Sequence, residues 1–219
     1  MGKKDNNNPE NEKKGIKNKL VSAIDQDGDG KIDSTDIILI SMKLPGVRVN
    51  RNELLHKELS RYYPEEMVQK AIDTSPAKAG IPTGAIDNIV DEIIKFERNA
   101  VSGISTVLGM PGGVAMAATI PADIAQYYGY MLRAAQKMLY MYGFPELGVN
   151  EKEGVSLDTG TINQLTICLG VMYGVANASN AIKAISRALA KGVEKKLLQK
   201  ALTKGTIYPM VQSQILCDG

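Results

Sequence analysis

Two stretches of this chain, residues 99–122 and 159–182, run for 24 residues each without a charged side chain. Segments of that kind must leave water, either for a protein core or for lipid, and about 20 apolar residues are enough to cross a bilayer. Both are rich in Gly, Ala, Ser, Thr and Met, and small residues let helices pack closely in either medium. The first is broken at Gly109-Met110-Pro111-Gly112-Gly113, a cluster that does not continue a helix. It then resumes as a long helical pattern, kinked at Pro121 and closed by Gly143 and Pro145. The second holds Asn163, Gln164, Asn177 and Asn180, amides that sit poorly in hydrocarbon. The expectation is therefore buried helices of a protein core, with spanning or re-entrant insertion as the alternative.

The remaining composition is that of an ordinary globular chain. Charged residues make up 23% and the net charge is +2, which gives no footing for nucleic acid. Cys168 lies in an apolar segment and Cys217 in the tail, an unpatterned pair that suggests a reducing compartment. Residues 1–14 are polar, without the apolar core of a secretory signal, and read as disordered. Asn6 stands where a myristoylation signal needs Ser or Thr. A cytoplasmic setting is expected, with the protein peripheral to the membrane or inserted in it.

The sharpest chemistry lies at residues 25–36, DQDGDGKIDSTD. A helix with Ile16, Leu20 and Ile24 on one face precedes it, and a helix through Ile37-Ile38-Leu39-Ile40 follows. The twelve residues between fit an EF-hand loop position by position. Asp25, Asp27 and Asp29 supply carboxylates at positions 1, 3 and 5, and Gly30 permits the turn at position 6. Lys31 offers its carbonyl oxygen, Ile32 packs inward, and Asp33 acts through a water. Asp36 takes the twelfth position, where a bidentate Glu is usual. Being one methylene shorter, it reaches the ion with one oxygen, which weakens Ca²⁺ binding or favours Mg²⁺. The same pattern resembles one loop of a dockerin module. An acidic turn without metal is the plainer alternative, and a structural ion is an alternative to a regulatory one.

Helix signals continue along the chain. Asn50 and Glu53 stand at capping-box spacing before Leu54, Leu55 and Leu59, and Pro64 opens the next helix beside Glu65 and Glu66. His56, among Glu53, Lys57 and Glu58, reads as a surface histidine. Residues 74–82 read as a linker. The following helix carries Ile86, Ile89, Val90, Ile93, Ile94, Ala100, Val101 and Ile104 at period 3.6, opposite Asp87, Asp91, Glu92, Lys95 and Arg98. After Pro121, Asp123, Tyr127, Tyr130, Arg133 and Lys137 fall near one stripe, a packing network rather than an active site. Beyond Ile182 come Lys183, Arg187, Lys191 and Lys195 at intervals of four, then Lys196, Lys200 and Lys204, with Glu194 the one acid among them. A cationic amphipathic helix of this type can lie on anionic lipid, or it can be the wet face of a core helix.

From Leu44 to Val211 the segments LPGVRVNRNELLHKEL, TSPAKAGIP, GMPGGVAMAATIPADIAQYYGYMLRAAQK, LYMYGFPEL, NQLTICLGVMYGVANASNAI and ALTKGTIYP occur in order. In these the chain resembles the EcsC protein family of bacteria. That resemblance implies an accessory role beside a membrane transporter, and it brings no catalytic residue with it. The chain looks C-terminally shortened against the family, and the acidic loop lies outside the match. The expected fold is all-α: a disordered 1–14, a single EF-hand-like helix-loop-helix at 15–43, an EcsC-like helical domain at 44–211 and a tail at 212–219. The expected function is a calcium-binding, membrane-associated accessory protein without catalytic activity, with a membrane-protein partner. Two alternatives stand beside it: an enzyme or carrier for a lipid-like molecule, its pocket lined by the uncharged helices, and a soluble interaction module with a structural calcium ion.

Overall fold

The computed structural model describes residues 15, 18, 21–104, 116–150, 156–175 and 177–190. A helical turn at 21–24 leads into the acidic loop and ends on Ile24, which is buried. Helix α1 (Ser34–Met42) follows, with Asp33 as its N-cap: Thr35 N–H donates to Asp33 Oδ1 at 2.6 Å, and Asp33 N–H donates back to Asp36 Oδ2 at 2.9 Å. This is a reciprocal capping box, which satisfies donors that the first turn would otherwise leave open. Ser34, Ile37, Ile38, Ser41 and Met42 are all buried, so α1 is an interior helix rather than an amphipathic surface one.

The chain then crosses through a series of turns to α2 (Arg51–Leu59), α3 (Glu65–Asp73), the single turn α4 (Pro76–Ala79) and the long α5 (Thr83–Ile104). Asn50 caps α2 by accepting from Glu53 N–H at 3.0 Å, and Ser75 caps α4 by accepting from Lys78 N–H at 3.3 Å. The expected linker at 74–82 therefore contains a capped turn, closed by Gly80 at φ +100°. Helix α6 (Met116–Met141) comes next, then a two-residue antiparallel ladder of β1 (Val149–Asn150) with β2 (Ser156–Leu157). Helices α7 (Thr159–Met172) and α8 (Ala178–Ala190) complete the described chain. The fold is all-α apart from that ladder, as the periodicity predicts.

Helix α6 is the shared wall of two apolar clusters, and it packs against α1, α2, α5 and α7. On one side Ile24, Ile37, Ile38, Met42, Leu132, Leu139, Tyr140, Leu165 and Leu169 form a core. On the other, Leu55, Leu59, Val68, Ile86, Ile89, Val90 and Ile93 gather round Met141. The close seat of the 43–50 connection on α6 depends on Gly129, where a Cβ would stand 2.9 Å from Val47 Cγ2 and 3.6 Å from Leu44 Cδ1.

Three expectations need revision. Ile94 is 39% exposed, whereas Glu97 is buried, so the dry face of α5 runs through a carboxylate. The second uncharged run is not one helix: it divides at residues 173–177, where Gly174 and Asn177 take φ of +69° and +67°. The tyrosines also divide, with Tyr128 and Tyr140 buried and Tyr127 and Tyr142 about half exposed. Among the described residues no helix is long and apolar enough to cross a membrane. The Gly-Met-Pro-Gly-Gly break, the head at 1–14 and the tail at 212–219 lie outside the described residues.

Helix α6 ends in a turn closed by Gly143 N–H to Tyr140 O at 3.0 Å and Phe144 N–H to Leu139 O at 2.9 Å. Gly143 has φ +86°, and a Cβ there would meet Ser75 Cβ at 2.8 Å. Gly46, at φ +78°, faces open space. Gly46→Ala is expected to cost only the left-handed strain, about 1 kcal/mol, while Gly143→Ala adds crowding and costs about 1–3 kcal/mol more. Urea unfolding of both variants checks the order.

Candidate metal centre

The loop between Ile24 and α1 draws one carboxylate oxygen from each of Asp25, Asp27 and Asp29 to within 4.8 Å of one another. Backbone N–H groups hold these side chains in place. Asp25 Oδ1 accepts from Gly28 N–H at 2.7 Å and its Oδ2 from Gly30 N–H at 3.0 Å. Asp27 Oδ1 accepts from Asp29 N–H at 3.1 Å, and Asp29 Oδ1 from Lys31 N–H at 2.8 Å. Gly28 and Gly30 supply the turn, at φ of +77° and +80°. Three carboxylates this close repel one another, and a divalent cation between them would turn that repulsion into attraction. Hard oxygen donors on a turn of this kind suit Ca²⁺, or Mg²⁺ with several waters retained.

Of the six residues the sequence points to, the structure gathers Asp25, Asp27 and Asp29, and Lys31 follows directly with its N–H committed to Asp29. Asp33 and Asp36 lie outside that cluster. Asp33 is the helix cap. Asp36 is fully buried and accepts from Gln26 N–H at 2.6 Å as well as from Asp33 N–H, so it ties the second residue of the loop to the ninth. Burial raises its pKa above the usual carboxylate range, the two backbone N–H groups oppose that rise, and the charges of Asp27 and Asp33 add to it. In this geometry the twelfth position acts as a staple of the loop.

The stripe on α6 holds a second polar cluster, whose partner the sequence reading missed. Glu97 on α5 lies 2.8 Å from Arg133 Nε and 2.6 Å from Lys137 Nζ, so one buried carboxylate joins two cations of α6. The signal for it is register: Glu97 comes four residues after buried Ile93, on the dry face. Arg133 also stands 5.2 Å from the Tyr130 ring centre and Lys137 5.9 Å from that of Phe96. Tyr127 points to solvent, and the side chain of Asp123 lies outside the described residues. The cluster holds no nucleophile and docks α5 on α6. His56 sits on the surface, 3.4 Å from Glu65. Lys183 and Arg187 are exposed on α8, while Lys191, Lys195, Lys196, Lys200 and Lys204 lie outside the described residues.

No protein-family model, no curated protein and no solved structure matches this chain. The loop's chemistry must therefore be read from its own geometry.

If Asp36 is a staple, removing it harms the ion-free protein. Asp36→Ala leaves the N–H groups of Gln26 and Asp33 without their acceptor, and in EDTA it is expected to cost about 2 kcal/mol. Asp27→Ala removes one exposed turn contact and should change stability by less than about 0.5 kcal/mol under the same conditions. Denaturant titration in EDTA measures both.

Proposed function

We propose that this is a calcium-binding helical protein without catalytic activity, in which the ion clasps the N-terminal helix-loop-helix onto the bundle. The observation that carries this reading is the convergence of Asp25, Asp27 and Asp29 within 4.8 Å on a loop with both glycines in the left-handed conformation. Asp36 and the cap at Asp33 connect the loop to α1, whose Ile37, Ile38 and Met42 lie in the main core. An ion that orders the loop therefore stabilises the entry to the core. Mg²⁺ competes for the same oxygens, because Asp36 is committed to backbone donors and waters must fill the remaining positions.

The second part of the reading is association with an anionic membrane surface from the cytoplasmic side, in the manner of an EcsC-type accessory protein beside a membrane-protein partner. Its support is Lys183 and Arg187, exposed and one helical turn apart on α8. The sequence continues their spacing through Lys191, Lys195, Lys196, Lys200 and Lys204.

Calorimetric titration with Ca²⁺ is expected to give one site in the wild type and none in the double variant Asp25→Ala with Asp29→Ala. At free calcium one hundred times Kd, the ion adds about 2.7 kcal/mol to stability, a rise in Tm of several degrees that the double variant lacks. Undiminished binding in that variant overturns the metal assignment. Flotation with anionic liposomes, at low and high salt, tests the second part separately. Floating that salt abolishes supports it, and failure to float at low salt removes the membrane contact while leaving the calcium site intact.

A further inference from the structure

Between α6, α7 and α8 the described residues line an open cavity of about 540 Å³, within the range of small-molecule sites. Its walls are almost entirely apolar. Leu139 and Phe144 form a buried floor, and Val171 and Met172, 39% and 36% exposed, stand at the side. Its polar rim is of one sign: Lys183 and Arg187, four residues apart on α8, line it, and no carboxylate does. Among the described residues neither cation has an ion-pair partner. Two cations one turn apart repel each other, and an anion seated between them relieves that repulsion. The guanidinium adds a planar fork that matches a carboxylate.

We propose that this cavity binds a single-chain amphiphilic anion, a fatty-acid-type carboxylate, with its chain on Leu139, Phe144, Val171 and Met172 and its head between Lys183 and Arg187. The limited volume and apolar lining select one flexible chain rather than a bilayer or a protein surface. The charge of the rim selects an acid over an alcohol. The inference is independent of the calcium reading, and it shares only Lys183 and Arg187 with the membrane-surface reading.

The test uses the full chain and a dansyl-labelled undecanoate, displaced by decanoate, dodecanoate or tetradecanoate below their micelle concentrations, and by dodecanol. Each added pair of methylenes is expected to tighten binding about tenfold until the cavity is filled. Dodecanol is expected to bind about tenfold more weakly than dodecanoate, for want of the charge. The charge reversal Lys183→Glu with Arg187→Glu, both at exposed positions, lowers dodecanoate affinity by tenfold or more and leaves dodecanol unchanged. Val171→Glu with Met172→Glu, at partly exposed positions where circular dichroism verifies folding, removes binding of both. That second variant keeps the rim cations, so its behaviour with anionic vesicles separates the cavity from the surface. Loss of dodecanoate with flotation retained supports the proposal. No binding of the probe by the wild type, or dodecanoate affinity unchanged in either double variant, overturns it.

Discussion

A stretch of backbone that runs between two cores without belonging to a helix or a sheet must find its hydrogen-bond partners elsewhere. Residues 43–50 are such a stretch: turns pair Leu44 N–H with Ser41 O at 3.1 Å and Val47 N–H with Leu44 O at 3.3 Å, and a side chain from α6 serves the later part. Gln136, almost fully buried on α6, accepts from Val49 N–H at 3.1 Å and donates to Val47 O at 2.9 Å, as a neighbouring strand would. Arg51 then closes the far end, donating to Ile72 O at 2.7 Å, Thr74 O at 3.3 Å and Phe144 O at 3.2 Å. Those carbonyls lie at or just beyond the ends of α3 and α6, where no next turn supplies a donor. Burial lowers the Arg51 pKa, and the Glu146 carboxylate opposes this. The guanidinium is held by carbonyls rather than by a buried partner ion, which makes it a joint and not a salt bridge. Because of these contacts, α6 can face α1 on one side and α5 on the other.

The acidic loop inherits its position from that arrangement. Its exit helix α1 is an inner element, fixed against α6 and α7, and its cap residues belong to the loop itself. Loop and helix are one piece of hydrogen bonding, from Gln26 N–H through Asp36 to Asp33. The three carboxylates, those of Asp27 and Asp29 exposed and that of Asp25 half-buried, are thus mounted on a capped, buried helix. An affinity set by such a loop depends on how well that helix is held, not only on ligand charge.

Much of this was legible in the residues and some was not, for identifiable reasons. The loop reads clearly because each of its positions has its own chemistry within twelve residues. The cap at Asn50 acts over three residues, and the stripe of Leu54, Leu55 and Leu59 repeats at the helix period, whereas the capped turn at Ser75 reads as linker in the sequence. The interactions of Gln136 with Val49 and of Glu97 with Lys137 join residues 87 and 40 positions apart, and no local pattern encodes them. Composition also left the uncharged runs undecided between protein and lipid. What divides the second run is a backbone feature, the left-handed Asn177 that follows Gly174, and a hydropathy profile does not register it. Within that run Asn163 and Thr166 are buried with side-chain groups that find no partner among the described residues, so its interior is less apolar than its lack of charge suggests.

The acidic loop and the apolar cavity are also mechanically related. Helix α1 packs on α6 and α7, and those two helices, with α8, form the cavity's walls. On the two proposed readings, an ion that orders the loop would act through Asp36 and α1 on the helices that line the cavity. If ion binding alters the free energy of filling the cavity, filling it alters the ion's affinity by the same factor, since both routes to the doubly bound state have equal free energy. Any such coupling would run through α1, whose Ile38 and Met42 are fully buried in the same cluster as Leu139 and Phe144. Truncating either side chain would weaken the connection between the sites while leaving the ligands of both in place. On that proposal α1, rather than the loop or the cavity rim, is the element that joins the two sites.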